Sequence, residues 1–149
     1  MRLATLDHLG TEQAALVLTG GLLPLDALNS GLKHDWPRDL LSLLVSGRFY
    51  QLKDWFDKGG AGEAATLTRE LLPAARARFR PLYRRPRKIW GIGLNYVAHA
   101  ADLAEKAPNE EPASFMKPDT TIIGPGDTIQ LPLQSEKTTG EAELGVIFG

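Results

Sequence analysis

The chain has 149 residues, a formal net charge of −1 and no cysteine, which excludes disulfides, thiolate nucleophiles and sulfur-ligated zinc. No stretch approaches the ~20 apolar residues of a membrane span, and the opening MRLATLDHLG lacks the apolar centre of a secretory signal. A cytoplasmic protein with no membrane partner is expected, and any metal in it must be held by oxygen or imidazole.

In chain order, Arg2 to Leu6 and Ala14 to Leu18 are short apolar runs separated by a polar turn at Gly10 to Gln13. Gly20-Gly21 makes a second turn before Leu22 to Leu25, so a small antiparallel sheet is predicted. Asp35 to Gly47 has the marks of a helix: an acidic start, Pro37 in the first turn, a run of leucines and Gly47 as a stop. Phe49 to Lys58 predicts another helix ended by Gly59-Gly60, with Gly59 to Gly62 as a mobile loop. Trp36, Trp55 and Phe56 could line a ligand pocket, but aromatics at helical spacing are assigned to packing. His8 and His34 fall outside any motif and are expected at the surface.

Arg76, Arg78, Arg80, Arg84, Arg85, Arg87 and Lys88 then crowd one stretch. Such a run can attract nucleic acid, but Pro81 and Pro86 interrupt it and no stacking aromatic series accompanies it, so no nucleic-acid partner is expected. The run reads as a linker over residues 76–87, some of whose arginines pair with acidic groups across an interface. It would separate a small α/β domain, residues 1–75, from a different pattern over residues 88–149. There, Lys88 to Gly93, Ser114 to Lys117, Thr128 to Leu131 and Glu141 to Phe148 are strand candidates, with one helix near Val97 to Lys106. The whole is α+β with a predominantly β second half.

In that last segment Glu141 and Glu143 stand one residue apart. If it is a strand, both carboxylates project from one face while Ala142, Leu144, Val146 and Phe148 take the other. Two converging carboxylates suit a hard divalent cation. An isolated Glu-x-Glu is more often a solvated edge strand, so its neighbours decide. Gly124-Pro125-Gly126-Asp127 has the residues of a tight turn capped by Asp127 and lacks the Lys-Ser or Lys-Thr pair of a phosphate cradle.

Four motifs follow in order: G-x-N-Y-x-x-H from Gly93 to His99, F-x-K-P from Phe115 to Pro118, G-P-G-D from Gly124, and E-A-E-L from Glu141. Together they resemble the catalytic domain of the fumarylacetoacetate hydrolase family, specifically from about Lys88 onward. The resemblance implies a rolled, mostly β catalytic domain of which this chain holds the amino-terminal part, preceded by a variable small domain, with a homodimer as the complete protein. It implies Mg²⁺ or Mn²⁺ on Glu141 and Glu143, His99 as the base that activates water, and an oxo-acid substrate bound by Lys117 and Tyr96. Asp102, three residues after His99, would orient that ring if both lie on a helix; relatives often carry Glu there.

The implied reaction is hydrolysis of a carbon–carbon bond in an acylpyruvate or related β-dicarbonyl or 2-oxo acid. Family members also include decarboxylases, hydratases, lyases and isomerases, and a catalytically silent fragment or binding module is the alternative. Relatives supply a third acidic metal ligand downstream of the Glu-x-Glu segment. Met1–Gly149 alone is therefore expected to bind Mg²⁺ poorly and show no oxo-acid activity, with exposure, association or local disorder of Leu144, Val146 and Phe148 to follow.

Overall fold

Alternating apolar residues and a two-residue turn build the first hairpin. In a computed structural model, which describes residues 1–94, 96–102, 106 and 111–148, β1 (Leu3–His8) pairs antiparallel with β2 (Thr11–Leu18). Leu9 and Gly10 both adopt positive φ, 52° and 78°, the twist that a two-residue hairpin turn requires. The turn is thus shorter than expected, and β2 begins three residues earlier than its apolar run. β3 (Gly21–Pro24) joins the far side of β2.

Inside the basic stretch read as a linker, Arg78–Arg80 instead forms β4 against β1, giving the sheet order β3-β2-β1-β4. Its arginines pair with acids of the same sheet: Arg80 lies 3.3 Å from Asp7 and 3.6 Å from Glu12, and Arg78 3.7 Å from Asp7.

The sheet is apolar on both faces. Ala14, Leu16 and Leu23 point to one side, where they pack with Leu25, Leu28, Leu40, Leu43 and Leu52 of the helices. Ala15, one residue out of phase, joins Leu6 and Leu22 on the other side, covered by Leu72, Ala77 and Phe79. Fully burying each such leucine contributes about 1.5–3 kcal/mol, which makes the helix-covered face the main source of stability.

α1 (Leu25–Leu32) was not foreseen. Its Asn29-Ser30-Gly31 are poor helix formers and no side chain caps it; the packing of Leu25 and Leu28 carries it instead. α2 (Leu40–Val45) starts later than the predicted helix. Asn29 explains the delay, since its Nδ2 donates to Trp36 O at 2.8 Å while Trp36 N donates to its Oδ1 at 3.0 Å, holding this backbone out of helix. The cap is Asp39, whose carboxylate accepts from Ser42 N at 2.8 Å.

α3 (Arg48–Trp55) does not end in a loop at Gly59-Gly60. A wide turn, Phe56–Gly60, kinked at Gly59 with φ 123°, leads directly into α4 (Ala61–Ala65). Gly60 is buried because its bare Cα lets the Trp55 ring lie against it; a Cβ there would sit 2.3 Å from that ring. Trp36 belongs to the core, with Trp55 and Phe56 packed against it, as assigned. His34 is half-buried rather than at the surface, edge-on to Trp55 with ring centroids 4.9 Å apart.

The chain divides into two units, one comprising Met1–Tyr83 and Ile123–Gly149 and the other Arg84–Ile122. In the second unit β5 (Ile89–Gly93) pairs antiparallel with β6 (Ala113–Lys117), and α5 (Val97–Asp102) follows β5. The remainder of the predicted helix to Lys106 lies outside the described residues apart from Lys106 itself. The architecture is α+β, with helices and antiparallel sheets. Thr128–Leu131 and Glu141–Phe148 are not strands, contrary to their alternating pattern. A strand exists through its partner's hydrogen bonds, and among the described residues neither segment has such a partner. Leu144, Val146 and Phe148 are exposed, as expected. Among the described residues no helix is long and apolar enough to cross a membrane.

Candidate active-site segment

β5 leaves the hairpin through Gly93 and then Leu94, whose φ of 54° is a left-handed conformation that costs a non-glycine residue about 1–2 kcal/mol. That reversal delivers the chain to Tyr96, whose carbonyl accepts from Ala100 N at 3.0 Å and so closes the first turn of α5. Ala100 of this helix is buried, and the Tyr96 side chain is exposed. His99 and Asp102 both lie in α5, at the spacing that puts them on one face. The placement of their side chains lies outside the described residues, as does Asn95 of the same motif.

Lys117 is the last residue of β6, exposed, with Pro118 extended behind it at φ −70° and ψ 154°. This is the strand-end position expected for it. The register places Lys117 opposite Ile89 and Ala113 opposite Gly93. Lys117 therefore stands at the end of the ladder remote from the start of α5, a separation of roughly 13 Å along the strand direction.

Gly124 to Asp127 is the predicted tight turn. Asp127 N donates to Gly124 O at 3.0 Å, Gly124 N donates to Asp127 Oδ2 at 2.8 Å, and Gly126 has φ 83°. Positive φ at the third residue, after Pro125, is type II geometry, which explains the Gly-Pro-Gly-Asp order.

Glu141 and Glu143 lie in the first unit, exposed and on non-strand backbone. The strand alternation invoked to point both carboxylates one way is therefore not what the structure shows. Among the described residues no three His, Asp or Glu side chains gather as a metal site. Tyr96, His99, Asp102 and Lys117 belong to the second unit.

Sequence reasoning passed over Phe115. Its ring lies over Gly91, its cross-strand partner, and Lys117 Nζ stands 5.8 Å from the ring centroid. The signal was available in the pairing of a glycine strand with F-x-K, but only the register reveals it. Elsewhere, an open pocket of about 420 Å³ beside α1 is lined by residues including Asp26, His34, Asp35 and Arg38. Its carboxylates are already paired, Asp26 with Arg38 at 3.0 Å and Asp35 with Arg48 at 2.6 Å. The Arg48 guanidinium holds the Asp35 carboxyl below the usual aspartate range, chiefly through that hydrogen bond.

Residues 88–149 match the family model described as fumarylacetoacetate (FAA) hydrolase C-terminal. Over 65 residues the chain is 45% identical to an uncharacterized protein of Pyrococcus horikoshii, an alignment covering 44% of this chain and 28% of that protein. Over 62 residues it is 48% identical to a protein of Burkholderia cenocepacia named "putative hydrolase", covering 42% of this chain and 22% of that protein. The solved structure of a "putative HpcE protein" from Mycobacterium smegmatis superposes with a TM-score of 0.58 at 28% identity, covering 89% of this chain and 41% of that one. The chain thus spans less than half the length of each of these proteins. Residues 88–149, the segment that carries the four motifs, are thus similar to the fumarylacetoacetate hydrolase family.

Proposed function

We propose that residues 88–149 contribute to a metal-dependent hydrolase that cleaves a carbon–carbon bond of an acylpyruvate or a related β-dicarbonyl or 2-oxo acid. The observation that carries this reading is that one contiguous family match, residues 88–149, contains every motif that bears chemistry. The hydrolase name of the Burkholderia relative supports the reaction class. Fold likeness does not choose among reactions on one scaffold, so the substrate class rests on the motifs.

In this reading His99 takes a proton from water as its oxygen adds to the acyl carbonyl, a role suited to an imidazole near neutral pH. The carbon–carbon bond then breaks, its electron pair passing to the pyruvate half, which takes up a proton; the products are a carboxylic acid and pyruvate. Asp102 would orient His99, and Lys117 and Tyr96 would hold the substrate, Lys117 through its carboxylate. Glu141 and Glu143 are the residues that would hold Mg²⁺ or Mn²⁺, and as hard oxygen donors they suit either ion. The bound ion would supply charge stabilisation for the oxo-acid oxygens.

One observation favours the second reading, a catalytically silent module of the same fold: among the described residues there is no third acidic or imidazole ligand beside Glu141 and Glu143. Incubating the complete gene product with a panel of acylpyruvates and oxaloacetate, with Mg²⁺, with Mn²⁺ and with EDTA, decides between them. Metal-dependent release of pyruvate together with the matching carboxylic acid from an acylpyruvate supports the hydrolase, whereas pyruvate and CO₂ from oxaloacetate alone would mark a decarboxylase. Absence of turnover together with absence of metal binding supports the silent module.

A further inference from the structure

In the second unit, the F-x-K-P motif and its cross-strand neighbour Gly91 form an arrangement that the proposed function does not use. Gly91 and Phe115 face each other across the β5–β6 ladder, and Phe115 and Lys117, two apart on β6, project from the same face. Because Gly91 has no side chain, the Phe115 ring lies across the ladder on its bare backbone. A Cβ at Gly91 would sit 2.2 Å from Phe115 Cζ, so any larger residue displaces the ring. Phe115 stays 39% exposed, which leaves it accessible to a cation. Lys117 Nζ is 5.8 Å from its centroid, within the range in which a ring quadrupole attracts an ammonium.

An exposed lysine at a strand end ordinarily samples many rotamers and presents no fixed charge. Here Pro118 restricts the Lys117 backbone to extended geometry, and the ring restricts where its ammonium dwells. We propose that Gly91 and Phe115 form a positioning platform that fixes the Lys117 ammonium as an anion-binding point, resting on the proposed role of Lys117 toward an oxo-acid carboxylate. Gly91 supplies the space, Phe115 the surface and Lys117 the charge. Phe115 acts through Lys117 and does not itself engage the substrate.

NMR of the full chain tests the platform, with the Lys117 ε-methylene assigned by its disappearance in Lys117→Arg. In the wild type that methylene is expected upfield of those of the other lysines, through the ring current. Phe115→Leu and Gly91→Ala are expected to abolish the shift while the amide pattern of β5 and β6 persists, and Phe115→Trp to restore it. With acetylpyruvate as the probe, Phe115→Leu is expected to weaken binding about two- to fivefold, Phe115→Trp to recover it, and Lys117→Ala to weaken it at least as much as Phe115→Leu. An unshifted Lys117 methylene in the wild type, or a shift that survives Phe115→Leu, overturns the platform. A shift that behaves as expected, combined with acetylpyruvate affinity indifferent to Lys117→Ala, overturns instead the role given to Lys117 under the proposed function.

Discussion

The residues before Tyr83 and those after Lys88 solve different problems. The first stretch closes a core on itself: among the described residues, every buried hydrophobic side chain except Ala100 lies there. Among the described residues the second holds the paired strands β5 and β6 and the short α5, and exposes Trp90, Ile92, Met116, Leu144, Val146 and Phe148. Yet the family match and all the candidate chemistry lie in the second stretch. In this chain the region that is most self-sufficient as a fold says least about function. Packing is satisfied by many sequences, whereas a site demands particular residues.

Substitutions that act on one region and leave the other unmoved sharpen this contrast. The largest effect is expected from Leu43→Ala, which empties a fully buried position beneath the sheet. Urea unfolding should show a loss of about 2–5 kcal/mol, and hydrogen exchange should place that loss in β1 to α4 while the β5–β6 amides are unaltered. Loss of protection throughout both units would show that the amino-terminal core also holds up the second stretch.

A smaller effect is expected in the region of the chemistry. In the complete gene product, Glu141→Gln and Glu143→Gln should each weaken Mg²⁺ binding on the order of tenfold, since each removes one charged oxygen from the shell. Thermal stability of the first unit should not change, because both residues are exposed on non-strand backbone. Calorimetry that finds metal affinity indifferent to both substitutions would return this segment to an ordinary solvated loop.

The smallest effect concerns Asp35. Its carboxyl titrates below the usual value of 3.8 because Arg48 donates to it. A carboxyl with a lowered folded value contributes stability above 3.8 and loses it as pH falls through the folded value. Asp35→Asn should therefore lower stability slightly at neutral pH and converge with the wild type as pH falls through the folded value, with both side chains of the pair reaching solvent and the effect weakened by salt. A difference that grows on acidification would contradict the assignment.

How far the sequence reveals these features depends on whether the cause is local. The β1–β2 hairpin, the Gly124–Asp127 turn and the β5 and β6 strands were legible because alternation and turn residues state them directly. α1 was not, because Asn29, Ser30 and Gly31 argue against a helix that only the burial of Leu25 and Leu28 sustains. Gly60 reads as a stop until the Trp55 ring is seen to need its bare Cα. Glu141 to Phe148 shows the opposite failure: its alternation is that of a strand, but alternation supplies no partner. In the candidate site, the strand-end position of Lys117 followed from Pro118. The platform beneath its ammonium did not, since it depends on which residue of β5 faces Phe115.

The central claim is that the segment from residue 88 carries hydrolytic chemistry on oxo acids, with His99 as its base. Steady-state turnover of acetylpyruvate by the complete gene product in Mg²⁺, compared with its His99→Ala variant, tests this most directly. The account predicts a fall in kcat of about 10² or more, with Mg²⁺ affinity nearly unchanged because His99 is not assigned as a ligand. Near-native turnover in the variant would contradict it.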